Sequence, residues 1–303
     1  MTRDPDPDPP APYRRRGLVL PDAVRVHEIV RDSEVHDVGE AVVDAEDIVG
    51  DWQRPSFDVT TQAVGLELDG ELVAYAEVFR GQRADAHVLP AHRGRGLGTW
   101  LAGWVVAEGR RQGGTTVGQP VLQGSDADRL LGSLGWRVRW TSWVLALEEG
   151  REIEPQPLPA GYAVRGLEPG EERLAYGVVE RAFSEWPDRT PTAYEDWAAV
   201  TVLRPGFTRS MLRLVTAPDG AVVGAAVVVD SGATAYVDQL AVERAHRGRG
   251  LARALLVDAF AGGRSRGRTR CELSTDSRTG ALGLYEKVGM TVTSTWVNRG
   301  TDV

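Results

Sequence analysis

Residues 242–252 of this chain read VERAHRGRGLA, and this stretch determines the fold that the sequence predicts. A strand-like apolar run ends at Val242, and apolar residues at helical spacing begin at Leu251. Between them, Gly248 and Gly250 have no Cβ, so the backbone there can take unusual angles and approach a ligand closely. The amides of a helix's first turn have no intrahelical partners and lie at the positive end of the helix dipole. The stretch therefore predicts a turn that binds a phosphate or pyrophosphate group.

Three arginines accompany this turn, Arg247, Arg249 and Arg253, and a purely structural turn would not need them. Arg-Gly runs also occur in disordered RNA-binding tails, but this run lies between a strand and a helix. The chain carries 43 acidic and 35 basic residues, a formal net charge of −8. Nucleic-acid binding needs a basic face that neutralises phosphates, so the charge disfavours that class of partner and mildly favours amine-bearing small molecules.

The heptapeptide AHRGRGL occurs twice, at residues 91–97 and again at residues 245–251. The same offset of 154 residues pairs Gly135 with Gly289, and the register between the copies has no gap over this stretch. A chance heptapeptide would not be flanked by matches in one register. We therefore infer a duplicated domain.

The boundary between the copies is marked by prolines at alternate positions within residues 148–161, a pattern that blocks both helix and sheet ladder. We predict an N-terminal domain over residues 14–150, a linker over 151–161 and a C-terminal domain over 162–303. Residues 1–13 are rich in Asp and Pro and are predicted to be disordered.

Both copies show the same order of elements, and the pattern is clearer in the second copy. Its strand–turn–helix–strand–helix end implies a partly parallel sheet with crossover helices. The predicted fold class is therefore α/β with a mixed sheet, present as two tandem domains. In the second copy we predict strands over residues 162–165, 211–216, 221–229, 235–242 and 269–275, and helices over 170–182, 193–201, 251–262 and 281–287.

The chain has one cysteine, Cys271, so an intrachain disulfide is excluded and a reducing cytoplasm is the expected location. Because Cys271 lies in an apolar-rich run, we predict a buried structural thiol. The N-terminus lacks a signal-peptide pattern, and the longest apolar run, residues 221–229, is too short to span a bilayer. We therefore expect neither secretion nor membrane insertion.

In the GNAT acetyltransferase superfamily, the pattern Arg/Gln-x-x-Gly-x-Gly/Ala wraps the coenzyme A pyrophosphate, and it matches residues 247–252 and 93–98. A second signature, an aromatic-bearing helix followed by Gly and a hydrophobic residue, matches residues 284–290. The chain thus resembles this superfamily, and its tandem arrangement is similar to that of two-domain actinobacterial members. The resemblance implies an acetyl-CoA-dependent N-acetyltransferase without a metal, which acetylates the primary amine of a small molecule.

The resemblance also implies which residues hold the coenzyme. The pantetheine arm would pair with backbone groups of the strand before the loop, and the pyrophosphate would lie against the loop. In the second domain the set is Leu240, Ala241, Val242, Arg247, Gly248, Arg249, Gly250, Leu251, Ala252, Arg253 and Ser277. In the first domain it is Val88, Arg93, Gly94, Arg95, Gly96, Leu97, Gly98 and Thr99. Ser277 stands where the family usually has Asn, and a hydroxyl replaces only part of the amide's hydrogen bonds.

The same resemblance assigns roles in catalysis. The backbone N–H of Leu240 would stabilise the oxyanion, and Tyr285 would protonate the departing thiolate. The alternative interpretation of Tyr285 is a core residue of an amphipathic helix whose hydroxyl is in contact with water. Asp238 is either a general base or a solvated strand residue. Asp276 is another candidate base, and ordered water can take the place of both.

The first copy lacks these chemical groups. Leu131 occupies the position of Tyr285, and Leu122 occupies the position of Asp276. Pro120 suits an edge or distorted strand. We therefore predict that the first domain is catalytically degenerate and is retained either for structure or for holding coenzyme without turnover.

The sequence does not name the acceptor. Trp186 and Trp197 either shape an acceptor pocket or are core aromatics. Resemblance to the actinobacterial two-domain members suggests the amine of a cysteinyl pseudodisaccharide as an alternative acceptor. A non-catalytic acetyl-CoA-binding module is a further alternative, although a sensor needs no thiolate acid such as Tyr285.

Overall fold

The computed structural model of this protein describes residues 7–41, 43–186 and 189–303. Contacts between Cα atoms divide the chain into two compact units. The first unit comprises residues up to 141 together with 295–303, and the second comprises residues 142–294. Of the segment predicted to be disordered, residues 1–6 lie outside the described residues. From Pro7 the chain is placed against the first unit, and Tyr13 is buried.

The first unit is a mixed sheet with an apolar cluster on each face. Its strands are β1 (Arg14–Gly17), β2 (Ala63–Leu68), β3 (Glu71–Phe79), β4 (Arg83–Val88) and β5 (Thr116–Leu122), followed by the C-terminal segment 296–302. Its helices are α1 (Ala23–Asp37), α2 (Ala45–Trp52), α3 (Val59–Gln62), α4 (Leu97–Arg111) and α5 (Asp126–Ser133). The strands lie in the order β1-β2-β3-β4-β5, then 296–302, and β4 and β5 are parallel.

The second unit repeats this plan. Its strands are β6 (Arg137–Leu147, of which 142–147 belong to this unit), β7 (Ala163–Gly166), β8 (Leu212–Thr216), β9 (Val222–Ser231), β10 (Thr234–Val242) and β11 (Arg270–Asp276). Its helices are α6 (Glu172–Phe183), α7 (Tyr194–Val200), α8 (Leu251–Ser265) and α9 (Leu282–Lys287). The order is β6-β11-β10-β9-β8-β7, and β10 and β11 are parallel.

These elements confirm the predicted fold class and follow from the sequence pattern. The hairpin between β8 and β9 turns at Gly220, whose φ of +84° favours glycine. Cys271 is buried in the core, as predicted, and burial raises the pKa of its thiol. Helix α8 buries apolar residues at helical spacing, namely Leu251, Leu255, Leu256, Ala259 and Phe260. Among the described residues, no helix combines the length and apolarity needed to cross a membrane.

The last strand of the chain, β12 (Thr291–Asp302), is shared between the two units, because residues 295–303 belong to the first unit. Its residues 296–302 pair antiparallel with β5, whereas residues 142–147 of β6 pair antiparallel with β11. The sequence-based boundaries placed 296–302 with the second domain and 142–147 with the first. Strand periodicity specifies which face of a strand is buried but not which strand lies beside it, so the pattern did not reveal this arrangement.

In each unit the two parallel strands separate before the glycine-rich loop. Strands β4 and β5 are in register at a single position, Arg83 opposite Gly118. Strands β10 and β11 pair from Thr234 to Val237, after which residues 238–242 of β10 have no partner in β11. The separation leaves a gap between the two strands beside each loop.

Pro120 lies on an inner strand, β5, where a missing N–H would normally cost a ladder bond. The N–H of Gly118 points towards β4, because it donates to the carbonyl of Gln82. Backbone groups of alternate residues point to the same side, so the nitrogen of Pro120 also faces β4. There the strands have separated, and no hydrogen bond is lost. The predicted distortion is therefore the separation of β5 from β4.

Candidate functional site

The open edge of β10 presents backbone groups to the gap beside β11. The N–H of Glu243 donates to Val223 of β9, so the backbone groups of Ala241 also point towards β9. By alternation, the N–H and C=O of Leu240 point into the gap. The side chain of Leu240 packs against the apolar cluster that contains Val242 and Tyr285. Leu240 therefore offers one donor and one acceptor to a ligand lying along β10.

The loop that follows has the backbone required of an anion site. Gly248 and Gly250 have φ values of +74° and +79°, and Gly250 is the residue before α8. A Cβ built at either glycine meets no atom within 4 Å, so the space in front of the loop is open. The N–H of Ala254 makes the first bond into the helix, to the carbonyl of Gly250. The three amides before it, in the first turn of α8, are free to bind an anion.

The three loop arginines have different surroundings. Arg247 donates from Nε to the carbonyl of Val242 at 2.9 Å, and its guanidinium pairs with Glu185 at 2.8 Å. Arg253 donates to the carbonyl of Glu154 at 2.7 Å. The guanidinium of Arg249 lies 5.8 Å from the ring centre of Tyr162. Arg247 and Arg253 therefore help to position the loop. Arg249 is the loop arginine whose described contact is with an aromatic ring and not with a hydrogen-bond acceptor.

Tyr285 lies on α9 with 8% of its surface exposed, in the same apolar cluster as Leu240 and Leu251. Burial raises the pKa of its phenol to about 12. The hydroxyl therefore keeps its proton throughout the neutral range, as a general acid must.

Asp238 lies at a β-bulge, where the register of β10 against β9 shifts between Val237 and Gln239. Its side chain is exposed and accepts a hydrogen bond from the Gln239 amide at 3.1 Å. The other end of that amide accepts from the indole N–H of Trp197 at 2.9 Å. Trp197 is buried and belongs to the core beneath α6 and α7, with its polar N–H aimed at the bulge.

Asp276, the other candidate base, is part of a turn with Arg278. The N–H of Arg278 donates to Asp276 Oδ1 at 2.9 Å, and the guanidinium pairs with the same carboxylate. Ser277 lies exposed within this turn. The guanidinium of Arg278 also lies 5.7 Å from the ring centre of Trp186, which is partly exposed. Asp276 is thus held by an arginine, and Trp186 lies near the surface beside that arginine.

In the first unit the corresponding strand gap is bridged. The side-chain amide of Gln119, on β5, donates to the carbonyl of Ala86 on β4 at 3.1 Å. At the offset of 154, Ala86 corresponds to Leu240 and Gln119 corresponds to Leu273, whose side chain has no donor. Gln119 was not identified from the sequence. Its signal was a polar residue at the position where the other copy has a leucine, Leu273.

The first loop is also covered. A Cβ at Gly96 would lie 3.3 Å from the ring of Pro10, and the indole N–H of Trp100 donates to the carbonyl of Pro7 at 2.8 Å. Arg93 pairs with Asp37 at 2.6 Å, as Arg247 does with Glu185. The N-terminal segment therefore lies against the face of the first loop that is open in the second.

The first-unit positions that correspond to Tyr285 and Asp276 bear no acid–base group. Leu131 is buried at the position of Tyr285, and Leu122 ends β5 at the position of Asp276. Within the described part of the chain, no group of three or more His, Cys, Asp or Glu side chains is arranged to hold a metal ion.

Comparison with known proteins places the chain among acetyltransferases. The family model described as "Acetyltransferase (GNAT) family" matches residues 24–136 and 172–290. A protein named mycothiol acetyltransferase, from Beutenbergia cavernae, is 32% identical over 239 residues, which cover 73% of this chain and 77% of that protein. A protein of the same name from Thermobispora bispora is 29% identical and covers 75% and 78%.

Two solved structures resemble the chain over nearly its whole length. A GCN5-related N-acetyltransferase from Sphaerobacter thermophilus has 30% identity and a TM-score of 0.76, covering 97% of this chain and 96% of that one. A tandem GNAT protein from the clavulanic acid biosynthesis pathway has 17% identity and a TM-score of 0.75, covering 96% and 98%. The second similarity is one of fold alone.

Proposed function

The chain belongs to the GNAT acetyltransferase family and is an acetyl-CoA-dependent acetyltransferase, and from that premise we propose that its second unit acetylates the primary amine of a small molecule. One observation carries the choice of unit. The strand edge at Leu240 is open, whereas the matching edge at Ala86 is bridged by Gln119. A pantetheine arm needs free backbone groups on this edge, and β10 supplies them.

Coenzyme binding in the second unit rests on two sets of backbone groups. Leu240 and the N–H of Val242 face the gap and would pair with the pantetheine amides. The amides around Gly248, Gly250 and the first turn of α8 would hold the diphosphate, with Arg249 as countercharge. Ala241 contributes through its side chain or not at all, because its backbone groups point towards β9.

The chemistry is a direct displacement. The unprotonated amine attacks the acetyl carbonyl carbon, the N–C bond forms, and the C–S bond breaks. The N–H of Leu240 would stabilise the oxyanion, and the Tyr285 hydroxyl would give its proton to the departing sulfur. The amine's own proton passes to water, either directly or through Asp238, which is exposed at the bulge.

We assign the first unit to structural support and not to coenzyme binding. The sequence left open whether the first loop holds the coenzyme without turnover or is retained for structure. Three contacts favour a single site: Gln119 on Ala86, Pro10 against Gly96, and Trp100 on Pro7. The intact glycines of the first loop then serve its turn geometry, since Gly94 and Gly96 have positive φ values.

We propose a small amine as the acceptor, either a general primary amine or the amine of a cysteinyl pseudodisaccharide. The relatives named mycothiol acetyltransferase support the amine of a cysteinyl pseudodisaccharide as the alternative to a general primary amine. Turnover of acetyl-CoA with a simple amine such as benzylamine, compared with a cysteinyl glycoside, separates the two. A preference for the glycoside of less than about tenfold in kcat/KM, or about 1.4 kcal/mol, would favour the general amine.

The catalytic assignment is tested by Tyr285→Phe, which keeps the buried ring and removes the proton donor. General-acid catalysis contributes about 10²–10⁴-fold, so kcat should fall within that range while the KM for acetyl-CoA changes little. The matched control is Tyr176→Phe on α6, which removes a hydroxyl that donates to the carbonyl of Thr192. Parental kcat in the Tyr285→Phe variant, with chemistry rate-limiting, would refute the assignment.

A further inference from the structure

The duplication repeats a second motif, PAxYxxRG, which occurs at residues 10–17 and again at residues 159–166. Its offset is 149 residues, whereas the glycine-rich heptapeptide repeats at an offset of 154. In both copies the N–H of the tyrosine donates to the carbonyl of the motif's own proline, at 3.0 Å from Tyr13 to Pro10 and at 3.1 Å from Tyr162 to Pro159. The motif therefore builds the same turn immediately before β1 and before β7.

The tyrosine of this motif contacts the histidine of the glycine-rich heptapeptide in both units. The Tyr13 hydroxyl lies 3.0 Å from His92 Nδ1, and the Tyr162 hydroxyl lies 2.9 Å from His246 Nδ1. The rings meet edge to face in both pairs, with centres 5.8 and 5.9 Å apart. Two motifs that repeat at different offsets thus keep one side-chain contact. That contact joins the start of each glycine-rich loop to the turn before β1 or β7.

The loop of the second unit cannot be held through its own glycines. Gly248 and Gly250 have positive φ values and carry no side chain, and a Cβ at either position would meet no atom within 4 Å. A loop that is fixed before its ligand arrives avoids the ordering cost of binding. His246 lies two residues before Gly248, and its partner Tyr162 packs against the apolar core of this unit. The tyrosine therefore fixes the loop from outside.

The two units differ in the position of the loop arginine. In the first unit Arg95 Nη1 donates to the Tyr13 hydroxyl at 3.1 Å. In the second unit the guanidinium carbon of Arg249 lies 5.8 Å from the ring centre of Tyr162, and among the described residues Arg249 has no hydrogen-bond acceptor. An aromatic face attracts a guanidinium group without using its N–H donors. Those donors therefore remain available for an anion at the loop of the second unit.

We propose that Tyr162 is a positioning residue for acetyl-CoA, because its hydroxyl anchors the loop through His246 and its ring holds Arg249 towards the diphosphate. The inference rests on the proposed placement of the coenzyme in the second unit. Tyr162 is outside the set of residues to which we assign acetyl transfer. It therefore acts on the affinity for the coenzyme, and the chemical step is left to Leu240 and Tyr285.

The test is isothermal titration calorimetry of the full-length chain with acetyl-CoA, with thermal melts to confirm that each variant is folded. Tyr162→Phe keeps the ring beside Arg249 and removes the hydroxyl, so the Kd should rise by about threefold to tenfold. The matched control is Tyr13→Phe, which removes the equivalent hydroxyl of the first unit. We expect this control to leave the Kd unchanged.

A comparison of Phe and Leu at position 162 separates positioning from general damage to the fold. Tyr162→Leu also removes the ring, so its Kd should be about threefold weaker than that of Tyr162→Phe. In the Arg249→Gln background the ring has no cation to hold, and the Phe and Leu variants should bind acetyl-CoA equally well. A purely structural role of the ring would give the same difference in both backgrounds.

Three results would overturn the proposal: parental Kd in a folded Tyr162→Phe variant, an equal loss from Tyr13→Phe, or a difference between Phe and Leu that persists without Arg249. The placement of the coenzyme is tested separately by Gly250→Val, which blocks the loop itself. Lost binding in Gly250→Val together with parental affinity in Tyr162→Phe would remove the role of Tyr162 and leave the coenzyme in the second unit.

Discussion

Gly250 and Gly96 allow one perturbation to be made at two equivalent places. Each residue precedes the helix after its loop, with φ and ψ of +79° and 1° at Gly250 and +82° and −3° at Gly96. Valine at either position must adopt a left-handed backbone that costs about 1–3 kcal/mol. At Gly96 the new side chain also meets the ring of Pro10. The two variants should therefore lose similar stability, with Gly96→Val losing slightly more.

The effects on coenzyme binding should differ. At Gly250 the valine side chain enters the open space before the first-turn amides of α8. Each charge-assisted hydrogen bond contributes about 1.5–3 kcal/mol, so blocking two of them predicts a loss of about 3–6 kcal/mol. That corresponds to at least about 100-fold in Kd for acetyl-CoA. At Gly96, where the N-terminal segment already covers the loop, we expect no change in Kd.

Isothermal titration calorimetry on the full-length chain measures both variants, with thermal melts to confirm that each is folded. Gly250→Val should show at least about a 100-fold weaker Kd and a matching loss of turnover. Gly96→Val should bind and turn over as the parent does. A folded Gly250→Val variant with parental affinity, or an equal loss from Gly96→Val, would refute the assignment of the coenzyme to the second unit.

Gln119→Leu introduces the residue type of the second unit and leaves the Ala86 carbonyl without its donor, so chemical denaturation should show a loss of about 1–3 kcal/mol with turnover unchanged. Arg247→Lys cannot bridge the Val242 carbonyl and Glu185 together, and steady-state kinetics should show an increase in the KM for acetyl-CoA of about fivefold, or ~1 kcal/mol, with kcat nearly constant. Because burial raises the pKa of Tyr285 to about 12, the phenol stays protonated above its usual pKa of about 10. The pH–kcat profile should therefore show no alkaline decline below about pH 10.5. A decline with an apparent pKa of ~10 that is present in the parent and absent from Tyr285→Phe would contradict the acid role.

The local structure of this chain could be predicted because its signals are local. Paired glycines after a strand and apolar residues at helical spacing each specify their own segment, and the elements around the second loop lie within a few residues of those predicted. Strand partners are different, because the period of two in β12 is satisfied beside any strand with a buried face. The pairing of 296–302 with β5 therefore required the structure.

The candidate site was predictable to the same degree. The loop glycines and Tyr285 stand in motifs, whereas the roles of individual side chains depend on neighbours distant in sequence. Arg247 stays a predicted phosphate contact, and its contacts with Glu185 and the Val242 carbonyl could not be read from the sequence.

The central claim is that one coenzyme binds, in the second unit, and a crystal structure of the full-length chain with acetyl-CoA tests it most directly. We predict a single acetyl-CoA, with its pantetheine arm along Leu240 and Val242 and its diphosphate against residues 248–252. The gap beside Ala86 should keep its Gln119 bridge and hold no ligand. Acetyl-CoA bound at residues 93–98, whether alone or together with the second site, would contradict the account.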